Sequence, residues 1–225
     1  MKHQIIIKAV DKSIKVLCSE FRAHPTLFFT ENDLVCYFYS ILQQKLPILN
    51  TYDKDGLKHF LIHMEYPTPF RCDMSKNKFE LKDDKTRNEK GGKYQRGHYD
   101  MVVLNPNFIK KHPYGVIKAQ NYELYKTQVF SKIDRCEPII LYGIEFMFSR
   151  DPLNDSRGKN KEKGINKFVA KITQDANKLL ALKNMEGFMG QIKMLTFVKG
   201  SSQKINSLLT AKLSLRNEII LCFDK

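Results

Sequence analysis

The last third of the chain constrains its architecture most, because apolar segments of strand and helix period take turns there. Ile139 to Phe148, IILYGIEFMF, reads as a strand, and Phe168, Val169, Ile172, Ala176, Leu179 and Leu180 then recur at helical spacing. Ile192 to Val198 reads as a second strand. Ser201 and Ser202 introduce a short helix expected to turn Ile205, Leu208, Leu209 and Leu213 inward, and Glu218 to Phe223 reads as a last strand. Strands joined through helices pair in parallel, since a tight turn can join only antiparallel neighbours. An α/β sheet with parallel pairing follows.

The first half reads differently. Val10, Ile14, Leu17, Cys18 and Phe21 predict a helix that His24-Pro25-Thr26 breaks. Thr30 and Asp33 predict the capped start of a second helix, whose stripe of Leu34, Tyr37, Phe38, Ile41 and Leu42 stops before Pro47. Lys58 to Phe70 and Gly97 to Pro106 then predict two consecutive strands, hence an antiparallel pair. The expected fold class is α/β, a mixed sheet flanked by helices in a single domain over residues 1–225. A weaker period over Tyr114 to Ile133 predicts a further helix. Two polar stretches, at about 71–97 and 149–167, are expected as mobile basic loops. Both carry mixed charge, with nine basic and five acidic residues between Arg71 and Arg96, so a solvated loop is the default reading.

Charge narrows the partner. Thirty-eight Lys and Arg against 24 Asp and Glu give a net charge of +14, a field that attracts polyanions, nucleic acid being the commonest. Five scattered cysteines without a CxxC pair fit reduced thiols and a cytoplasmic protein. No apolar run reaches the roughly 18 residues of a membrane span, so no membrane partner is expected.

Within this frame two acids stand out. Side chains alternate across a strand, so Glu145 shares a face with Leu141, Gly143 and Met147, and Asp100 shares one with His98, Val102 and Leu104. A carboxylate among apolar neighbours is costly unless a cation or hydrogen bonds stabilise it. Two such strand carboxylates could hold a hard divalent cation such as Mg²⁺; the alternative is a buried ion pair with a lysine or arginine. Glu65 falls on one strand face with His59, Leu61 and His63 and could join the site. The two histidines lack further ligands at zinc-finger spacing and read as strand residues. His98 could orient a phosphate or a water.

An apolar strand carrying Asp (HYDMVV, Asp100), a strand carrying an acid (GIEFMF, Glu145), the helix KFVAKITQDANKLLALKN and an earlier helix opening with an acid (TENDLVCYFYSIL, Glu31) together resemble the PD-(D/E)xK nuclease superfamily, the restriction-endonuclease-like fold. The resemblance covers about residues 30–200. It implies a metal-dependent nuclease that hydrolyses DNA phosphodiester bonds, with Mg²⁺ or Mn²⁺ held by Asp100, Glu145 and the Phe146 carbonyl, and Glu31 assisting through water. It also implies DNA phosphates gripped by Lys93, Arg96, Arg150, Arg157 and Lys159 at the rims of the two loops, and leaves room for a homodimer, since many proteins of this fold pair two active sites. One position departs from the pattern. Met147 stands where the family has its lysine, a cation that a thioether cannot replace. Three readings follow: the lysine has migrated, with Lys171 or Gln174 on the next helix as candidates beside Asp175; the chain is a catalytically impaired nuclease-like protein that binds nucleic acid without cutting; or Met147 is an introduced substitution.

Overall fold

The structure is a computed structural model that describes residues 3–46, 51–73, 81–82, 94–118, 138–149, 161–184, 189–214 and 216–224. In chain order the elements are α1 (His3–Ala23), a 3₁₀ turn (Pro25–Leu27), α2 (Glu31–Lys45), β1 (Thr51–Tyr52), β2 (Lys58–His59), β3 (Ile62–Asp73), β4 (Leu81–Lys82), β5 (Tyr94–Leu104), α3 (Pro106–Lys111) and α4 (Tyr114–Ile117). They continue with β6 (Ile140–Ser149), α5 (Lys161–Lys183), β7 (Met189–Val198), α6 (Gln203–Leu213) and β8 (Ile219–Phe223).

Six strands form one mixed sheet in the order β4-β3-β5-β6-β7-β8, and β1 and β2 form a separate antiparallel pair. As the alternation of strand and helix requires, β6, β7 and β8 are parallel; β3, β4 and β5 pair antiparallel, and β5 joins the halves by running antiparallel to β6.

The two faces of β6 meet different helices. Phe146 packs its ring 5.7 Å from Phe38 of α2, Phe148 packs 6.3 Å from Phe21 of α1, and the Tyr142 hydroxyl donates to Asp11 of α1 at 2.8 Å. On the opposite face a Cβ at Gly143 would lie 3.7 Å from Leu179 of α5, and Glu145 reaches Lys178 of the same helix. The result is a sheet with α1 and α2 on one side and α5 on the other, where Ile165 of α5 joins Ile205 and Leu209 of α6 over Val198. Gly190 has a steric reason: a Cβ there would come within 2.9 Å of the Leu141 carbonyl oxygen across the β6–β7 pair.

Several expectations are corrected. The strand expected over Lys58 to Phe70 is two elements, β2 and β3, which removes His59 from the strand that carries Glu65. Beyond Glu65, whose φ is +51°, β3 runs on to Asp73, and β5 starts at Tyr94, so strand occupies both ends of the stretch expected as the first loop. The second expected loop ends early, because α5 begins at Lys161. Leu208 is 37% exposed rather than inward. Of the helix expected over Tyr114 to Ile133, α4 is described and residues 119–133 lie outside the described residues.

Candidate active site

The sheet opens into a fork at the polar end of β6. Pairing of β5 with β6 ends at Met101 opposite Ile144; beyond it β5 stays with β3, while β6 stays with β7 as far as Ser149 opposite Val198. Backbone N–H groups of β6 past Ile144 therefore need partners other than β5. Carboxylates supply them: the Phe146 N–H donates to Asp100 Oδ2 at 2.6 Å, and the Phe148 N–H donates to Glu31 Oε2 at 3.2 Å.

Glu31 reaches the fork because of how α2 begins. Thr30 Oγ1 accepts from the Asp33 N–H at 3.3 Å, while Asp33 Oδ2 accepts from the Thr30 N–H at 2.8 Å, so Asp33 completes a capping box at the third helical position. Glu31, at the first position, is left to face the strands.

Glu145 is 4% exposed and lies on the α5 side of β6, as alternation requires. It contacts the ammonium group of Lys178, itself 8% exposed, which also donates to the His98 carbonyl of β5 at 3.1 Å. Asp100 lies near enough for its charge to raise the Glu145 carboxyl. Asp175, one helical turn before Lys178, adds a fourth carboxyl whose charge is felt by Asp100 and Glu145.

Charge is out of balance in this group. Burial pushes the Glu145 carboxyl well above the carboxylate range, and Asp100 raises it further against the pull of Lys178. Burial likewise raises Asp100, Glu31 and Asp175, and the charge of Asp100 adds to the rise at Glu31. For Lys178 burial acts downward, but Glu145, Asp175 and Asp100 together outweigh it and hold the ammonium above its ordinary value. Three of these acids, Glu145, Asp175 and Asp100, thus act on one buried ammonium, while Glu31 feels Asp100 and Asp175, and the exposed Lys171 acts on Glu31, Asp100 and Asp175.

Of the residues singled out from sequence, the fold brings Asp100, Glu145 and Glu31 together, with Asp175 beside them. Phe146 takes part through its N–H. Lys171 contributes by charge, whereas Gln174 is half-buried and makes no hydrogen bond within the cluster among the described residues. The buried cation is Lys178, which sequence reading missed. A signal was present, since Lys171, Asp175 and Lys178 follow each other at i, i+4 and i+7 and so line one flank of α5. Met147 is 3% exposed and packs in the core, so the position at which the resemblance expects a lysine is an apolar contact here. Arg96 belongs to β5, paired with Arg71, and Lys93, Arg150, Arg157 and Lys159 lie outside the described residues. Glu65, His63 and His98 line a cavity next to the fork. His59 borders the same cavity, with Nε2 2.8 Å from Asp53 Oδ2.

Among the described residues no three His, Cys, Asp or Glu side chains are arranged as a ready ligand set for a metal ion, and no helix is long and apolar enough to cross a membrane. No protein-family model matches the chain, and neither a curated protein nor a solved structure does.

Proposed function

We propose that this chain is a metal-dependent nuclease with a restriction-endonuclease-like core that hydrolyses DNA phosphodiester bonds at the β5–β6 fork. The observation that carries the reading is the convergence of Asp100, Glu145 and Asp175 on one buried lysine from the helix that follows the Glu145 strand, with Glu31 beside them on the Phe148 N–H. Hydrophobic residues would stabilise this position better than four acids, so their presence calls for a cation as partner.

The donors fit Mg²⁺ or Mn²⁺. They are hard carboxylate oxygens in excess of the available positive charge, and burial together with that shortage raises the carboxyls of Asp100 and Glu145, a cost that a divalent cation would relieve. Asp100 and Glu145, with the Phe146 carbonyl, are the residues that would hold the ion. When bound, it supplies a Lewis acid for the phosphate and lowers the pKa of a coordinated water. Lys178 takes the role of the lysine absent from β6, giving the attacked phosphate a fixed positive charge from α5 instead of from the strand. Glu31, anchored on the Phe148 N–H, accepts a proton from water at the open side of the fork. The positive surplus of the chain draws the DNA in.

Purified protein with Mn²⁺ is expected to cut DNA, and Asp100→Ala, Glu145→Ala and Lys178→Met each to lose nearly all cutting. Undiminished cutting in the two acid variants would overturn the assignment. A second reading, binding of nucleic acid without cleavage, is favoured by one observation: the Lys178 ammonium is already seated on Glu145. It predicts salt-sensitive DNA binding that is indifferent to Mn²⁺ and to both acids.

A further inference from the structure

A cavity of about 460 Å³ opens beside the fork, between β3, α4 and the middle of β5. Three observations point to a ligand. The first is position. His98, on its wall, is two residues from Asp100, and the His98 carbonyl holds the Lys178 ammonium. Glu65, also on the wall, stands between Met64 and Tyr66, which pair with Met101 and Tyr99, and is therefore level with Asp100.

The second observation is strain. Glu65 has φ +51°, a left-handed backbone that a side chain with a Cβ adopts at a cost, and it is the one non-glycine residue with positive φ among the described residues. The strained position directs an acceptor carboxylate to a cavity whose other charged or titratable side chains include three histidines and one lysine. A carboxylate is of no help with a phosphate, but it suits the amino and imino hydrogens of a base.

The third is chemical pairing. Tyr114, 46% exposed, presents its ring with the Lys118 ammonium 5.4 Å from its centroid, and Met64, also 46% exposed, adds apolar surface. An aromatic ring, a cation and apolar surface at one opening suit a base with its phosphate. Behind the ring, His59 is held rigidly by Asp53.

We propose that this cavity receives an unpaired nucleotide of the strand that enters the fork, its base against Tyr114 and Met64 with an edge toward Glu65, and its phosphate toward Lys118 and His98. The substrate class is then DNA with a single-stranded end or gap next to the scissile bond, because a base stacked in a duplex cannot enter a side cavity. The inference rests on the nuclease reading for its orientation toward the fork.

Binding of short single-stranded DNA and of a blunt duplex of the same sequence, measured by fluorescence anisotropy in EDTA, tests it on the full chain without any cutting. Tyr114→Ala and Lys118→Ala, both at exposed positions, are each expected to weaken single-strand binding about tenfold while duplex binding and the melting temperature stay unchanged. Glu65→Gln is expected to give a smaller loss of the same kind. Unaltered single-strand binding in both the Tyr114 and Lys118 variants, or an equal loss on the duplex, would overturn the proposal. The two readings fail separately: absent cutting with Mn²⁺ alongside the expected binding pattern removes the nuclease assignment and leaves the cavity. Cutting that needs Asp100 and Glu145, with binding indifferent to Tyr114 and Lys118, removes the cavity assignment alone.

Discussion

Two buried acids in this molecule are stabilised in opposite ways. Asp53, in the link between β1 and β2, is opposed by burial, but hydrogen bonds from His59 and from the Leu57 and Asp55 N–H groups outweigh that cost and hold its carboxyl below the ordinary range. Glu145 has one ammonium and several competing carboxyls, and burial prevails. A structural acid comes with its donors supplied by its own loop, whereas an acid kept for chemistry is left short of positive charge. The fork is left short of positive charge in this way, as the proposed site requires.

The sharpest way to break the comparison is to remove the lysine. Lys178→Ala leaves Glu145 buried without a counter-charge and is expected to cost about 3–5 kcal/mol in urea unfolding. Lys178→Met combined with Glu145→Gln should regain most of it, as the pair is then neutral on both sides. If the single substitution were nearly neutral, the fork would already be balanced by protons alone.

The two regions should also respond to pH with opposite sign. Glu145, Asp100, Glu31 and Asp175 have folded-state values above their unfolded ones, so the native state binds more protons. Their contribution is fully present below the ordinary carboxylate range and is lost as pH rises through the raised values. Asp53 does the reverse: its contribution is present above its unfolded value and is lost as pH falls through the depressed one. Unfolding midpoints across pH are expected to fall less toward high pH in Glu145→Gln and less toward low pH in Asp53→Asn. Mn²⁺ is expected to reverse the fall toward high pH in the unaltered protein but not in Asp100→Asn, which separates a cation site from an acid cluster that only collects protons.

Smaller effects refine the picture. Thr30→Ala removes the side-chain half of the α2 capping box and is expected to cost about 1 kcal/mol. Glu65→Gly relieves a positive φ and is expected to stabilise the fold by about 1 kcal/mol while weakening single-strand binding, a combination that a purely structural residue would not show.

The sequence made the parallel half of the sheet legible, because β6, α5 and β7 each carry one dominant period and lie buried against each other. Expectations failed where local pattern and tertiary setting disagree. The first turn of α5, Lys161 to Gly164, is polar with a glycine and reads as loop, yet it continues a helix stabilised further along by Ile165 and Ile172. Short α3 carries its own start signal, Asn105 as cap with Pro106 following, but no apolar period long enough to register. In the site, Asp100, Glu145 and Glu31 were legible because each stands in or beside an apolar stripe. Lys178 was not, since a lysine on the flank of a helix looks like any surface lysine until the strand opposite it is known to carry Glu145.

The capping box of α2 also fixes an angular phase. Each residue along a helix turns about 100°, so a helix starting one residue earlier or later would swing Glu31 away from the Phe148 N–H and bring Thr30 or Asn32 round in its place. Length changes before Thr30 can be absorbed by the connection from α1, but a single inserted residue between Glu31 and Phe38 must rotate either the acid off the fork or the aromatic ring off Phe146. Evolutionary insertions and deletions in this segment should therefore be confined to the few residues ahead of the cap.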